Sequence, residues 1–264
     1  MIDGRVKGKI AIVTGGGGSG IGHGISQVLA REGSHVMIVE IDLASAEAVR
    51  RSIESAGGKA TVMRGDITRP EDVRSVIEEV IRDHGRVDVL VNNAGVGLVR
   101  EVAEASEEEF DRLVAIDLRG VWLCCKFAIP YMKAQKGGSI INIASVHSRV
   151  TIPKFGIYAA MKAGVAGLTR GIAVQYGPDG IRANAVSPGL VDGRQTREIV
   201  ARMTTDVESW LGDYMRRHQA LPQMIQPEDI GHLVAFLASD EARMITGAEI
   251  PVDCGSWAML TSRD

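Results

Sequence analysis

Ile10-Ala11-Ile12-Val13-Thr14-Gly15-Gly16-Gly17-Gly18-Ser19-Gly20-Ile21-Gly22 carries a short apolar, β-branched run straight into a glycine-rich turn, and the helical pattern Gly20–Arg31 follows. A run so short and so uniformly apolar reads as a parallel strand buried on both faces. Glycines at its end let backbone amides and a helix N-terminus approach a pyrophosphate. Strand, turn and helix in that order predict the first unit of a dinucleotide-binding sheet. The second run, Val36–Val39, ends at Glu40, twenty residues beyond Gly20. A carboxylate there accepts hydrogen bonds from both ribose hydroxyls and repels a 2′-phosphate, so Glu40 predicts NAD rather than NADP. The competing reading is a solvated charge at a strand end, which the absence of Arg or Lys at Ile41 weakens. Asp42 is placed to cap the next helix.

Further runs of the same kind recur at Ala60–Met63, Val87–Val91, Ser139–Ile143, Ala183–Val186 and Ala248–Val252. Helical periodicity fills most of the intervals, at Ser45–Ala56, Pro70–His84, Ser106–Ala134 and Gly156–Tyr176. Alternating strands and helices predict an α/β fold, a doubly wound parallel sheet with helices on both faces and right-handed crossovers. A single domain spanning residues 1–264 is expected, since α/β units of this size often form one body. Residues 192–226 break the rhythm and carry a helical stripe of Met203, Val207, Trp210, Leu211 and Tyr214. An insertion of that length is expected to act as a substrate-binding lid.

Composition narrows the function. Hydrophobic residues make up 45% of the chain and charged residues 24%, the balance of an ordinary globule with a sizeable core. A formal net charge of −3 gives no basic footprint for nucleic acid. The three cysteines, Cys124, Cys125 and Cys254, are odd in number with two adjacent, which fits neither a disulfide framework nor a metal site. Neither a signal-peptide core near Met1–Lys9 nor a long uncharged apolar stretch is evident, so a cytoplasmic protein with no membrane partner is expected.

The chemistry is carried by Tyr158-Ala159-Ala160-Met161-Lys162, with Ser145 thirteen residues before the tyrosine. A tyrosine and a lysine four apart share one helix face. The ammonium is expected to favour the phenolate and make Tyr158 an acid/base, with the Ser145 hydroxyl orienting the substrate oxygen.

From about Lys9 to Gly255 the chain resembles the short-chain dehydrogenase/reductase family. Its Thr-Gly-x-x-x-Gly-Ile-Gly, Asn-Asn-Ala-Gly, Ser, Tyr-x-x-x-Lys and Pro-Gly elements appear here in order. The resemblance implies a Rossmann fold and a nicotinamide cofactor held by Thr14, Gly15, Ser19, Gly20, Ile21 and Gly22 of the turn. It also implies Glu40, Asp66 and Ile67 at the adenosine, Asn92, Ala94 and Gly95 after the fourth strand, and Pro188, Gly189 and Val191 near the nicotinamide. Tyr158 and Lys162 would touch the cofactor too, Lys162 at the nicotinamide ribose. A homotetramer is the family's usual assembly.

Departures from the family pattern set further expectations. Four residues separate Gly15 from Gly20 where three are usual, so either the loop bulges by one or Gly16 takes the first glycine's role; the strand alignment favours the bulge. Asp117 stands where an asparagine relay behind the lysine is usual, and is counted with Ser145, Tyr158 and Lys162 as catalytic. It is either a tolerated isostere or a charge that offsets Lys162 and moves activity to more alkaline pH. Gly193 replaces a common threonine, for which Thr196 could substitute, and Cys254 replaces a usual glycine as a packing residue.

The substrate side is thinner. Ser145-Val146-His147 with Pro153-Lys154-Phe155 looks like glucose 1-dehydrogenase members of the family, which makes His147 a candidate donor to a sugar hydroxyl or a carboxylate, or else a histidine packed in its loop. Arg194, Arg197, Arg202, Arg216, Arg217 and His218 would suit an anionic substrate, but interspersed acids favour a solvated face. Trp210 and Tyr214 could wall the pocket or pack in the core. The expected function is NAD-dependent interconversion of a secondary alcohol and a ketone on a small molecule, preferably a sugar, polyol or hydroxy acid, with no metal. The alternatives are reduction of a 3-oxoacyl thioester and a non-catalytic NAD-binding regulator.

Overall fold

The computed structural model describes residues 4–262; the ends of the expected 1–264 domain, residues 1–3 and 263–264, lie outside the described residues. Seven strands form one sheet: β1 (Ile10–Thr14), β2 (His35–Glu40), β3 (Lys59–Arg64), β4 (Val89–Asn92), β5 (Gly138–Ile143), β6 (Ile181–Pro188) and β7 (Glu249–Val252). Their spatial order is β3-β2-β1-β4-β5-β6-β7, and each neighbouring pair is parallel. This is the doubly wound α/β sheet that the strand runs predict.

Side-chain alternation explains why the central strands are largely apolar on both faces. Ala11 and Val13 of β1 face one core, with Ile25, Val28 and Leu29 of α1 (Ile21–Arg31) and Ile230 and Val234 of α9 (Pro227–Ala238). Ile10 and Ile12 face the other, with Val76 and Ile77 of α3 (Pro70–His84) and Leu123 and Met132 of α5 (Val121–Ala134). A strand covered on both sides is mostly apolar, and the polar residues that remain, such as Asn92 and Asn142, are hydrogen-bonded in the core.

Boundaries differ from the sequence pattern where side chains intervene. The fourth strand begins at Val89 rather than Val87, because the Asp88 carboxylate accepts the Ile10 N–H at 2.8 Å at its start. α2 (Leu43–Ser55) starts two residues early, since Asp42 caps the Ala44 and Ser45 amides. The expected helix 106–134 is three pieces: α4 (Glu107–Val114), opened by a Ser106/Glu109 capping box, a π-helical turn Ala115–Gly120, and α5. α6 (Gly156–Tyr176) matches its expected bounds.

Residues 192–226 hold two helices, α7 (Arg194–Ala201) and α8 (Val207–His218). Leu211 is the fully buried member of the expected stripe, whereas Met203 sits in the turn between the helices. α9 was not among the segments singled out by periodicity. Its start is nevertheless written in Pro227 at the first turn and the Gln226/Asp229 capping box. α1 and α9 pack so closely that a Cβ on Gly24 would lie 2.3 Å from the Pro227 carbonyl carbon.

That contact yields a paired test. Gly24→Ala is expected to lower unfolding free energy by about 1–3 kcal/mol through overpacking. Gly171→Ala, on α6 where a Cβ meets nothing within 4 Å, should leave stability unchanged or raise it by about 0.4–1 kcal/mol. Urea unfolding of the two variants beside the wild type checks both.

Candidate active site

The carboxyl ends of β1, β2, β4, β5 and β6 open onto a cleft of about 880 Å³, at the point where strand order reverses between β1 and β4. The turn residues Gly15, Ser19, Gly20, Ile21 and Gly22 line one end of it. Gly15 lies in the left-handed region (φ +62°), and the helix crosses it so closely that a Cβ on Gly22 would fall 1.9 Å from the Gly15 carbonyl oxygen. The extra residue of the turn is absorbed beyond Gly15. Gly18 takes φ +75° with open space around it, and its carbonyl accepts a 2.9 Å bond from His23 Nδ1. The loop therefore bulges, and Thr14 and Gly15 keep their register. No side chain caps α1 and no acid lies in its first turn. A cradle that only glycine can form, ending at an uncapped helix N-terminus, fits a diphosphate.

Two of the expected cofactor residues work beneath the cleft rather than in it. Thr14 is buried, and its hydroxyl accepts the Asn93 and Ala94 amides at 3.1 and 3.2 Å. Asn92 turns into the core, where its amide donates to Asn142 Oδ1 at 2.8 Å and reaches Cys125 Sγ at 3.3 Å. Strand alternation is the reason: Asn92 is still in β4, so its neighbour Asn93 faces the cleft and donates to the Thr14 and Gly15 carbonyls at 3.0 and 2.8 Å. Sequence reasoning did not single out Asn93, although the doubled asparagine was a signal for it.

Glu40, Asp66, Ile67, Ala94 and Gly95 line the cleft at the β2, β3 and β4 ends. Glu40 is half-buried and one carboxylate oxygen accepts the Ile41 amide at 2.9 Å. Asp66 accepts from the Thr68 amide and hydroxyl at 2.9 and 2.7 Å, which fixes the orientation of its carboxylate. Pro188, Gly189 and Val191 line the other side after β6.

Between these two halves lie Ser145, Tyr158, Lys162 and Asp117. Ser145 follows β5, and its hydroxyl oxygen accepts the His147 amide at 3.2 Å. Lys162 is buried one helical turn below Tyr158, with Nζ 5.5 Å from the phenol ring centroid, and donates to the Ile143 carbonyl at 3.2 Å. Asp117 projects from the π-helical turn, fully buried, with Oδ1 accepting the Val96 amide at 2.8 Å and Oδ2 3.1 Å from Lys162 Nζ. The expected net lowering of the Tyr158 pKa is corrected by this geometry. Burial raises it above the ordinary phenol value; Lys162 and Ser145 pull it down, Asp117 pushes it up, and the sum is upward. Burial depresses the Lys162 pKa, but Asp117 and Tyr158 outweigh that and raise it.

His147 is placed away from the cleft lining. Its ring stacks on Phe155 (4.7 Å between centroids), meets Tyr158 edge-on at 5.7 Å and bonds Thr151 Oγ1 through Nδ1 at 2.9 Å. It buttresses the Tyr158 ring, and burial pushes its pKa down to about 4.

The insertion supplies a wall that the sequence only outlined. Gln195, Thr196 and Ile199 of α7 line the cleft, Gln195 Nε2 donating to the Gly95 carbonyl at 3.4 Å. Thr196 donates to the Val191 carbonyl at 2.7 Å. Arg197, Arg216 and Arg217 are paired with Asp192, Glu208 and Asp213 on a solvated face, whereas Arg194, beside Glu198, lines the cleft. Trp210 and Tyr214 stack on each other at 5.2 Å. Cys254 keeps the backbone of the glycine it replaces, φ +53°. Among the described residues no group of three or more His, Cys, Asp or Glu could hold a metal ion, and no helix is long and apolar enough to cross a membrane.

A crystal structure from Burkholderia xenovorans, assigned to the short-chain dehydrogenases/reductases, superposes with a TM-score of 0.93 at 37% identity over 97% of this chain and 99% of that one. A family model described as enoyl-(acyl carrier protein) reductase matches residues 16–256. The chain belongs to the short-chain dehydrogenase/reductase family. Short-chain dehydrogenases/reductases use NAD(P), and the glycine cradle fits that group. The protein is accordingly an oxidoreductase acting on CH–OH donors. Among similar members, a cis-4-hydroxycyclohexanecarboxylate dehydrogenase from Sinomonas cyclohexanicum is 36% identical over 95% of this chain and 97% of its own. A 3-oxoacyl-[acyl-carrier-protein] reductase from Thermotoga maritima is 32% identical over 95% and 98%.

His147 makes stability depend on acid. The unfolded imidazole binds a proton below about 6.5, whereas the folded ring refuses it until about pH 4, so its stabilising contribution is present above 6.5 and falls as pH drops towards 4. Between pH 7 and pH 5 this costs about 2 kcal/mol. In His147→Phe the difference between denaturant unfolding energies at pH 7 and pH 5 should shrink by that amount; an unchanged difference would contradict the buried neutral ring.

Proposed function

We propose that the protein is an NAD-dependent dehydrogenase that interconverts a secondary alcohol and a ketone, with a sugar, polyol or hydroxy acid as substrate. The observation that carries this reading is the convergence of Ser145, Tyr158 and buried Lys162 on the cleft, beside a glycine cradle. Bound nicotinamide supplies a hydride acceptor or donor for the substrate carbon. Tyr158 takes or returns the proton at the substrate oxygen. Ser145 accepts the His147 amide, which leaves its own hydrogen free to be donated to the same substrate oxygen and hold it at the phenol. Lys162 steadies the charge on Tyr158 and binds the nicotinamide ribose. Asp66 and Ile67 hold the adenine, Ala94 and Gly95 the adenosine side, and Pro188, Gly189 and Val191 the nicotinamide side.

Glu40 supports NAD over NADP, because a half-buried carboxylate at the end of β2 repels a 2′-phosphate. The hydroxy-acid substrate named for the Sinomonas relative favours that substrate class. The second reading, reduction of a 3-oxoacyl thioester, draws on the Thermotoga relative, and Glu40 counts against it. We take the chain to be one Rossmann domain with residues 192–226 as its lid. Ile199 meets Gly97, and Gly193 meets Ser19 and Gly20, across the cleft, an arrangement suited to excluding water from the reaction. A cytoplasmic homotetramer would cover the exposed Phe110 and Trp122 of α4 and α5.

Following NADH formation across a panel of sugars, polyols, hydroxy acids and secondary alcohols tests the reading. Turnover is expected with NAD and little with NADP. Tyr158→Phe should lower kcat by about two to four orders of magnitude while NAD still binds; undiminished turnover would remove Tyr158 from the chemistry. Glu40→Ala should cost about tenfold to a hundredfold in kcat/KM for NAD, from loss of hydrogen bonds to a charged group, and narrow the gap to NADP. An unaltered cofactor preference would remove Glu40 from the ribose.

A further inference from the structure

The assignment of Tyr158 as acid/base makes no use of Asp117, yet no carboxylate among the described residues is better sealed. Its side chain is fully buried, and the Gly95 backbone lies against it so tightly that a Cβ there would stand 3.1 Å from Asp117 Oδ2 and 3.3 Å from Lys162 Nζ. The π-helical turn is what aims it. The wide turn Ala115–Gly120 interrupts α4 and α5, and it places both Asp117 and Gly120 inside. Oδ1 is held by the Val96 amide at 2.8 Å, so Oδ2 is fixed 3.1 Å from the ammonium. The same ammonium lies over the phenol ring, 5.5 Å from its centroid. The anion that Lys162 serves in the free protein is therefore Asp117, and a neutral asparagine in its place would leave the full positive charge to the tyrosine.

We propose that Asp117 is a positioning residue that offsets part of the Lys162 charge and so, together with burial, keeps Tyr158 a neutral phenol until a further positive charge enters the cleft. The groups facing Tyr158 are few. Lys162 comes from α6 and Asp117 from the π-helical turn; the segment after β5 supplies Ser145, an uncharged hydroxyl, and His147, a ring kept neutral by burial. Burial and Asp117 act upward on the phenol, against Lys162 and Ser145. The consequence is an asymmetry between directions. At neutral pH the proton needed to reduce a ketone is already on Tyr158, whereas alcohol oxidation, with the oxidised dinucleotide taking the hydride, needs Tyr158 deprotonated, through that dinucleotide's positive charge or alkaline pH. This inference rests on the acid/base reading of Tyr158.

Its test needs no substrate. Ultraviolet pH titration of tyrosinate in the nucleotide-free protein, with the trace of Tyr158→Phe subtracted, isolates Tyr158 from the other members of the set of 4 tyrosines. Wild-type Tyr158 is expected to ionise above the ordinary phenol value of about 10. Asp117→Asn, which keeps the acceptor for the Val96 amide, should move that midpoint to lower pH, and NAD should move the wild-type midpoint the same way. Superposed midpoints for wild type and Asp117→Asn would overturn the proposal. So would a wild-type midpoint at or below the ordinary value, a result that needs no folded Asp117 variant. Turnover surviving in Tyr158→Phe would defeat the acid/base assignment instead, and would leave the titration result standing.

Discussion

Seven parallel strands can be hydrogen-bonded into one sheet only if the chain returns to the same end of the sheet by a crossover after each, and both faces are then covered by the crossing helices. Every other property of this molecule depends on that constraint. It forces the strands to be apolar on both sides, which is why Ala11 and Val13 face one core while Ile10 and Ile12 face the other. It also gathers the strand ends together. Glycine turn, Glu40, Asn93, Ser145 and Pro188 are far apart in the chain, and they meet because each follows the end of a parallel strand. A cleft at the reversal of strand order follows from topology before any side chain is considered.

Within the cleft, electrostatics is governed by exclusion of water. Lys162 is held under Tyr158 by the helix spacing, but its charge is offset in part by Asp117 at 3.1 Å. A buried ion pair of this kind contributes little to stability, because desolvation offsets attraction. Its effect is on the neighbouring phenol. The aromatic contacts of His147 with Phe155 and Tyr158 fix the phenol ring, and the Asn93 side chain does the same for the strand ends beneath the cleft. Half-buried polar groups thus hold the cleft-lining ones in place.

The insertion shows how little periodicity says about position. The stripe through Trp210, Leu211 and Tyr214 correctly implied a helix, and Leu211 is its buried anchor. The helix that reaches the cleft is α7, whose sequence is charged and carries no such stripe. Its contacts with Gly95 and Gly97 join residues a hundred positions apart, and only the folded chain displays them.

Local patterns in the sequence determined the strand runs, the glycine turn, Glu40 at the end of β2, the Asp42 cap and the Tyr158/Lys162 spacing, because each depends on residues close together in the chain. Tertiary structure decided what depends on distant neighbours. It turned Asn92 inward and Asn93 outward, buried Thr14, moved His147 from a substrate contact to a support for Tyr158, and broke one expected helix at a π-helical turn. Above all it reversed the expected direction of the Tyr158 pKa. Spacing along a helix reveals which cation lies below a phenol, but burial and a carboxylate brought in from another element determine how much of that charge the phenol feels.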